Sequence, residues 1–140
     1  MILGMQVVVS IEGVDEVQAN LDEKGHIESV KIVGCHNLTE TMFEMRQKHG
    51  NNITAWPVPT ANDHVSMLIK ELILKLQNRW QYPFEGDEVC HCRSVSTATI
   101  DKAILLGAHT PEEVSQATNA STSCGTCRSD VEKIINYRKN

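Results

Sequence analysis

The chain has few aromatic residues, no strongly basic segment and no long apolar run. Only six of its 140 residues are Phe, Trp or Tyr, so any core must be built from aliphatic side chains. Lys and Arg number 13 against 18 Asp and Glu, a net charge of −5. That balance argues against a nucleic-acid partner, which favours basic patches. No apolar stretch approaches the roughly 20 residues needed to cross a bilayer. The start, Met1 to Gln6, has neither the basic region nor the apolar run of a signal peptide. These absences predict a reduced, cytoplasmic setting, where clustered cysteines mean a metal or redox site more often than disulfides. There is no phosphate-binding glycine loop and no nucleophile–base constellation, so no enzymatic turnover is expected of this chain alone. The hydrophobic fraction of 41% still supports a globular core. The length fits one ordinary domain or two small ones.

What is present is concentrated near the end. Four of the five cysteines form two tight pairs, Cys90-x-Cys92 and Cys124-x-x-Cys127, separated by 31 residues. Four thiolates make a soft, tetrahedral ligand set that selects zinc or an iron–sulfur cluster. Structural zinc sites usually leave two to four residues between paired cysteines. The single spacer His91 is unusual for zinc and suits a pair approaching a cluster from an extended loop. Zinc stays open as the alternative.

Charge is uneven. Residues 1–88 carry a net charge of −6 and residues 89–140 a net charge of +1. Arg93 and Arg128, beside the cysteines, would favour the reduced form of an anionic cluster if they face it; otherwise they are ordinary surface residues.

Along the chain, residues 5–12, 16–22 and 27–33 read as β-strands, with a turn at Gly25 between the last two. A small antiparallel sheet is expected. Asn37 or Thr39 can cap a helix reaching His49, which Gly50 ends. Residues 53–60, with two prolines, read as an extended connector or edge strand. Asn62 or Asp63 can cap the strongest helix, which buries Val65, Leu68, Ile69, Leu72, Ile73 and Leu76 and runs to about Trp80. That apolar helix is core, or a homodimer interface. Residues 81–88 break the pattern as a linker. Beyond it, Ser94 or Ser96 can cap a helix with Ile100, Ala103, Ile104 and Leu105. The run Thr110-Pro111-Glu112-Glu113 starts another, burying Val114 and Ala117. A last helix from about Cys127 turns Val131, Ile134 and Ile135 inward. The predicted fold is α+β: a small antiparallel sheet with two helices over 1–80, a linker over 81–88, and a small all-α domain over 89–140. Such a small domain needs a staple, which a metal group would supply.

The segment Val89-Cys90-His91-Cys92-Arg93-Ser94-Val95-Ser96, with Thr110-Pro111-Glu112-Glu113-Val114 and Cys124-Gly125-Thr126-Cys127, resembles the [2Fe-2S] domain of bacterioferritin-associated ferredoxin. Similar domains occur in NifU proteins and some nitrite reductases. The resemblance covers about residues 88–138. It implies a helix-turn-helix fold and a [2Fe-2S] cluster on Cys90, Cys92, Cys124 and Cys127. It also implies a protein partner, in electron transfer or in iron–sulfur assembly.

More weakly, Glu23 to Lys31 followed by Val33-Gly34-Cys35, and the later helix with His64-Val65-Ser66-Met67-Leu68, resemble U-type iron–sulfur scaffolds. Those scaffolds use three cysteines. Here only Cys35 remains, and the third position holds Val65 beside His64. Scaffold chemistry is therefore expected to be lost, or to need ligands from a second chain. Cys35 is either a small apolar residue at a strand end or, with His64, a metal ligand. His64 is otherwise a helix-start surface residue.

Overall fold

A computed structural model describes residues 4–83, 88–90, 95–118 and 125–139; for 88–90 and 125–127 the description is of the backbone. The chain divides into two compact units. One comprises residues 1–59 and 65–80, the other residues 60–64 and 81–140.

The first unit opens with three antiparallel strands in the order β1-β2-β3: β1 Gln6–Ile11, β2 Asp15–Leu21 and β3 Ile27–Val33. β1 and β2 pair from Gln6 opposite Asn20 to Ile11 opposite Asp15. The two-residue period puts Val17, Ala19 and Leu21 of β2 on the buried face, with Val9 and Ile11 of β1 beside them. Gly25 turns the chain at φ +81°, a conformation that costs glycine little.

Helix α1, His36–His49, begins directly after Cys35, which is the N-cap residue but gives no side-chain cap. The caps expected at Asn37 and Thr39 are already inside the helix. Its start is held instead by backbone and by the Thr39 hydroxyl, which donates to the Cys35 carbonyl at 3.5 Å. Leu38 and Met42 face the core, and Gly50 ends the helix at φ +71°. Residues 53–55 form a short 3-10 turn, where a connector or edge strand was expected. Asn52 caps that turn by accepting from the Thr54 N–H at 3.1 Å.

Helix α2, His64–Leu76, is shorter than the expected run to Trp80, and Asn78 takes a left-handed turn just beyond it at φ 59°. Its burial is wider than one stripe. Met67, Lys70, Glu71 and Leu74 are buried along with the six predicted positions. Apolar side chains on this helix are thus already covered within a single chain. Lys75 donates to Glu71 at 2.6 Å, an i,i+4 pair that keeps the buried carboxylate partnered.

The second unit contains a two-stranded antiparallel ribbon, β4 Glu88–Cys90 and β5 Val95–Ser96, so it is not all helical as expected. Helices α3 Thr97–Leu105, α4 Pro111–Thr118 and α5 Gly125–Lys139 follow. Ser96 caps α3, accepting from the Thr99 N–H at 3.1 Å. Thr110 caps α4: its hydroxyl oxygen accepts the Glu113 N–H at 3.1 Å and its hydroxyl donates to the Glu113 carboxylate at 3.1 Å. The core is aliphatic: Val95, Ile100, Ile104, Val114, Val131, Ile134 and Ile135. Tyr82, expected in the linker, packs on this core, and its ring meets Tyr137 edge-on with centroids 6.4 Å apart. Ala117, expected inside, is exposed, because the two turns of α4 commit one face, through Val114, to the core. Among the described residues no helix is long and apolar enough to cross a membrane.

Candidate functional site

Two groups of chemistry-bearing residues emerge, one in each resemblance region. In the second unit, Cys90 is the last residue of β4 and Cys127 the third residue of α5. β4 packs against α5 and against α3. The backbone thus brings together the two elements that carry one cysteine of each pair. Cys92 and Cys124 lie outside the described residues, as do His91 and Arg93.

The frame around these elements is tied by charge. Arg138 of α5 grips Asp101 of α3 with two parallel hydrogen bonds, Nε to Oδ1 at 2.8 Å and Nη2 to Oδ2 at 2.5 Å. The guanidinium is only 4% exposed and the carboxylate 19%. Bidentate, desolvated pairs of this kind fix geometry as well as add energy. Arg128 sits one residue beyond Cys127 and pairs with Glu112 at 2.9 Å and Glu132 at 3.1 Å. Glu112 is held below the usual carboxylate range, first by its own backbone N–H at the start of α4 and then by Arg128. Glu112 and Glu132 in turn raise the Arg128 pKa. Arg128 shares its charge between two carboxylates, so it offers an anionic group nearby less than its position in the sequence suggests.

In the first unit, the structure places Cys35 against a residue the sequence reading did not single out. Asp15, 3% exposed, accepts the Cys35 backbone N–H at Oδ1 over 2.7 Å and the Cys35 thiol at Oδ2 over 3.6 Å. Gly34 makes this approach possible. A Cβ there would lie 2.1 Å from Asp15 Oδ1 and 2.9 Å from Asp15 Cα. Cys35 is half-buried against this carboxylate. His64 is grouped with residues 60–64, but it is the first residue of α2, whose remainder belongs to the first unit. Sequence signals for Asp15 were faint: an acid at a strand start after the Gly13 turn, and glycine immediately before the cysteine. Two other histidines are occupied locally. His36 pairs with Glu40 at 2.8 Å and His26 with Asp22 at 3.8 Å, each within one turn of chain.

Comparison with known proteins bears on the second unit. Residues 88–137 match the BFD-like [2Fe-2S] binding domain family. The nitrogen fixation protein NifU of Azospirillum brasilense is 36% identical over 52 residues, covering 36% of this chain and 17% of that protein. The chain thus spans a small part of this relative's length. No solved structure matches the chain. The cofactor of the C-terminal region is a [2Fe-2S] cluster. The donor set fits it: two close pairs of cysteines in the sequence, with one member of each pair on a ribbon and a helix that touch.

Proposed function

We propose that this chain is a non-enzymatic [2Fe-2S] protein that holds its cluster on Cys90, Cys92, Cys124 and Cys127 and passes single electrons to a protein partner, as an accessory to iron–sulfur assembly. The observation that carries the reading is the family match over residues 88–137, which contains both cysteine pairs. When bound, the cluster supplies a one-electron acceptor and donor. The chain's own residues would enclose it. Four protein thiolates hold such a group closed, which favours retention over donation. The Asp101–Arg138 pair and the aliphatic core tie α3 to α5, the helix that carries Cys127. The acidic first part, net −6 over residues 1–88, would recognise a basic patch on the partner, so association should weaken as salt rises.

The test starts with anaerobically purified protein: visible absorption, iron and acid-labile sulfide. A colourless, zinc-loaded protein would leave only a zinc-stapled interaction module. Reduction should be reversible without loss of iron. The similarity to NifU supports a second reading, delivery of the cluster itself. Mixing loaded protein with an apo-ferredoxin acceptor separates the two. Rapid, quantitative movement of iron to the acceptor would replace electron transfer with delivery.

A further inference from the structure

The three-stranded sheet of the first unit has two edges, and they are guarded differently. β3 carries Glu28 and Lys31, meets β2 through a register shift at Asn20 and Leu21, and packs against α1. Charges and bulges commonly keep an edge strand from pairing with another chain. β1 has neither. Its six residues, Gln6–Ile11, include no charge, no proline and no glycine, and they pair with β2 without a register shift. Among the described residues no strand lies along its outer side. We propose that this edge joins the β1 edge of a second copy of the chain, antiparallel and centred on Val8, so that two sheets become one six-stranded sheet across a two-fold axis. The pairing is independent of the electron-transfer reading.

The phase of the backbone selects the register. The Met5 carbonyl accepts the Leu21 N–H at 2.7 Å, in line with Gln6 opposite Asn20. Backbone groups alternate along an antiparallel strand, so Val7, Val9 and Ile11 direct their N–H and C=O groups at β2. Gln6, Val8 and Ser10 direct theirs outward, and all three residues are exposed. Hydrogen-bonded pairs between two such edges join outward residues on both strands. The longest overlap sets Val8 opposite Val8 of the second copy, with Gln6 opposite Ser10 on either side, about six hydrogen bonds in all. The side-chain faces agree with this register. Val7 meets Val9 of the second copy on the inner face, where Val9 and Ile11 are already buried. Val8, 46% exposed in the single chain, meets its counterpart on the outer face. A slip of one residue would set outer side chains against inner ones.

Charge placement identifies the occupant. On the outer face the charged neighbours stand back from the edge: Glu16 lies opposite Ser10 on β2, and Lys31 lies opposite Gln18 on β3. Glu12, just past the strand, falls beside Gly4 of the second copy in this register. No charge therefore faces a like charge across the axis, although each chain has a net charge of −5. A basic strand from another protein would find no carboxylate on β1 to pair with. An uncharged strand with the same inner and outer alternation fits, and β1 of a second copy is such a strand. Gln6 and Ser10 give it a polar pair on each flank, around the apolar Val8 pair.

Sedimentation equilibrium of the full chain with its cluster loaded tests the pairing. The mass should rise with concentration from 15.6 kDa to twice that value. Val8→Pro removes an N–H that points away from β2, so the chain's own ladder is kept. Two of the intermolecular bonds are lost, and association should weaken about 30-fold. A second set of variants reads the register. Gln6→Lys with Ser10→Lys sets like charges opposite each other on both flanks and should dissociate the dimer. Gln6→Glu with Ser10→Lys sets opposite charges there, keeps Lys beside Glu16 of its own chain, and should associate at least as well as the parent. Circular dichroism melting of each variant checks that the single chain is intact. A parent that stays monomeric up to about 1 mM overturns the proposal. So does a dimer that Val8→Pro leaves unchanged. Equal association of the two charge variants would overturn the antiparallel register centred on Val8.

Discussion

Replacing Asp101 with Ala should be among the most damaging single changes in the second unit. The substitution removes the bidentate carboxylate from a guanidinium that is 4% exposed, with bonds of 2.8 and 2.5 Å. Breaking a buried pair from one side costs about 3–5 kcal/mol, because the remaining charge stays desolvated. Asp101 itself is 19% exposed, so water can enter and the low end applies, about 3 kcal/mol. For a domain of this size each kcal/mol moves the melting temperature by about 4 °C or more, a shift of at least about 12 °C. Removing both charges is a different perturbation. Asp101→Ala with Arg138→Met puts an apolar chain where the guanidinium lay, and such replacements are often neutral. The double variant should therefore recover most of the loss. Melting of metal-free protein, followed by circular dichroism, measures both effects. Iron retention in loaded protein should fall in the same order, since α5 carries Cys127. A loss below about 1 kcal/mol in Asp101→Ala would mean an exposed-type ion pair, and a double variant as unstable as the single one would refute the orphaned-charge argument.

Serine at Cys90, Cys92, Cys124 or Cys127 should strip or destabilise the cluster, seen as lost visible absorption and lost iron; an intact spectrum in any of the four would remove that residue from the ligand set. Thr110→Ala deletes both hydroxyl bonds at the start of α4 and should cost about 1 kcal/mol in denaturant unfolding. The Glu112–Arg128 link should weaken in acid. The Glu112 pKa is depressed in the folded state, so its contribution is complete above the ordinary value of 4.5 and is lost as pH falls through the lower folded value. Glu112→Gln should remove that part of the acid dependence, and identical acid melting curves for parent and variant would show that the link contributes nothing.

Local features of the fold were legible in the sequence, and contacts across it were not. The strands Gln6–Ile11, Asp15–Leu21 and Ile27–Val33 follow from a two-residue period and the Gly25 turn, both readable within a few residues. The Thr110 cap of α4 is likewise contained in four residues. By contrast, Asp15 meets Cys35 from 20 residues away, and Arg138 meets Asp101 from 37 residues away. Nothing in the local pattern around either acid distinguishes it from a solvated carboxylate. The ends of α1 illustrate the same limit. Its C-terminus was set by glycine, but its N-terminus lies one residue after Cys35 because Asp15 holds that backbone N–H from another strand.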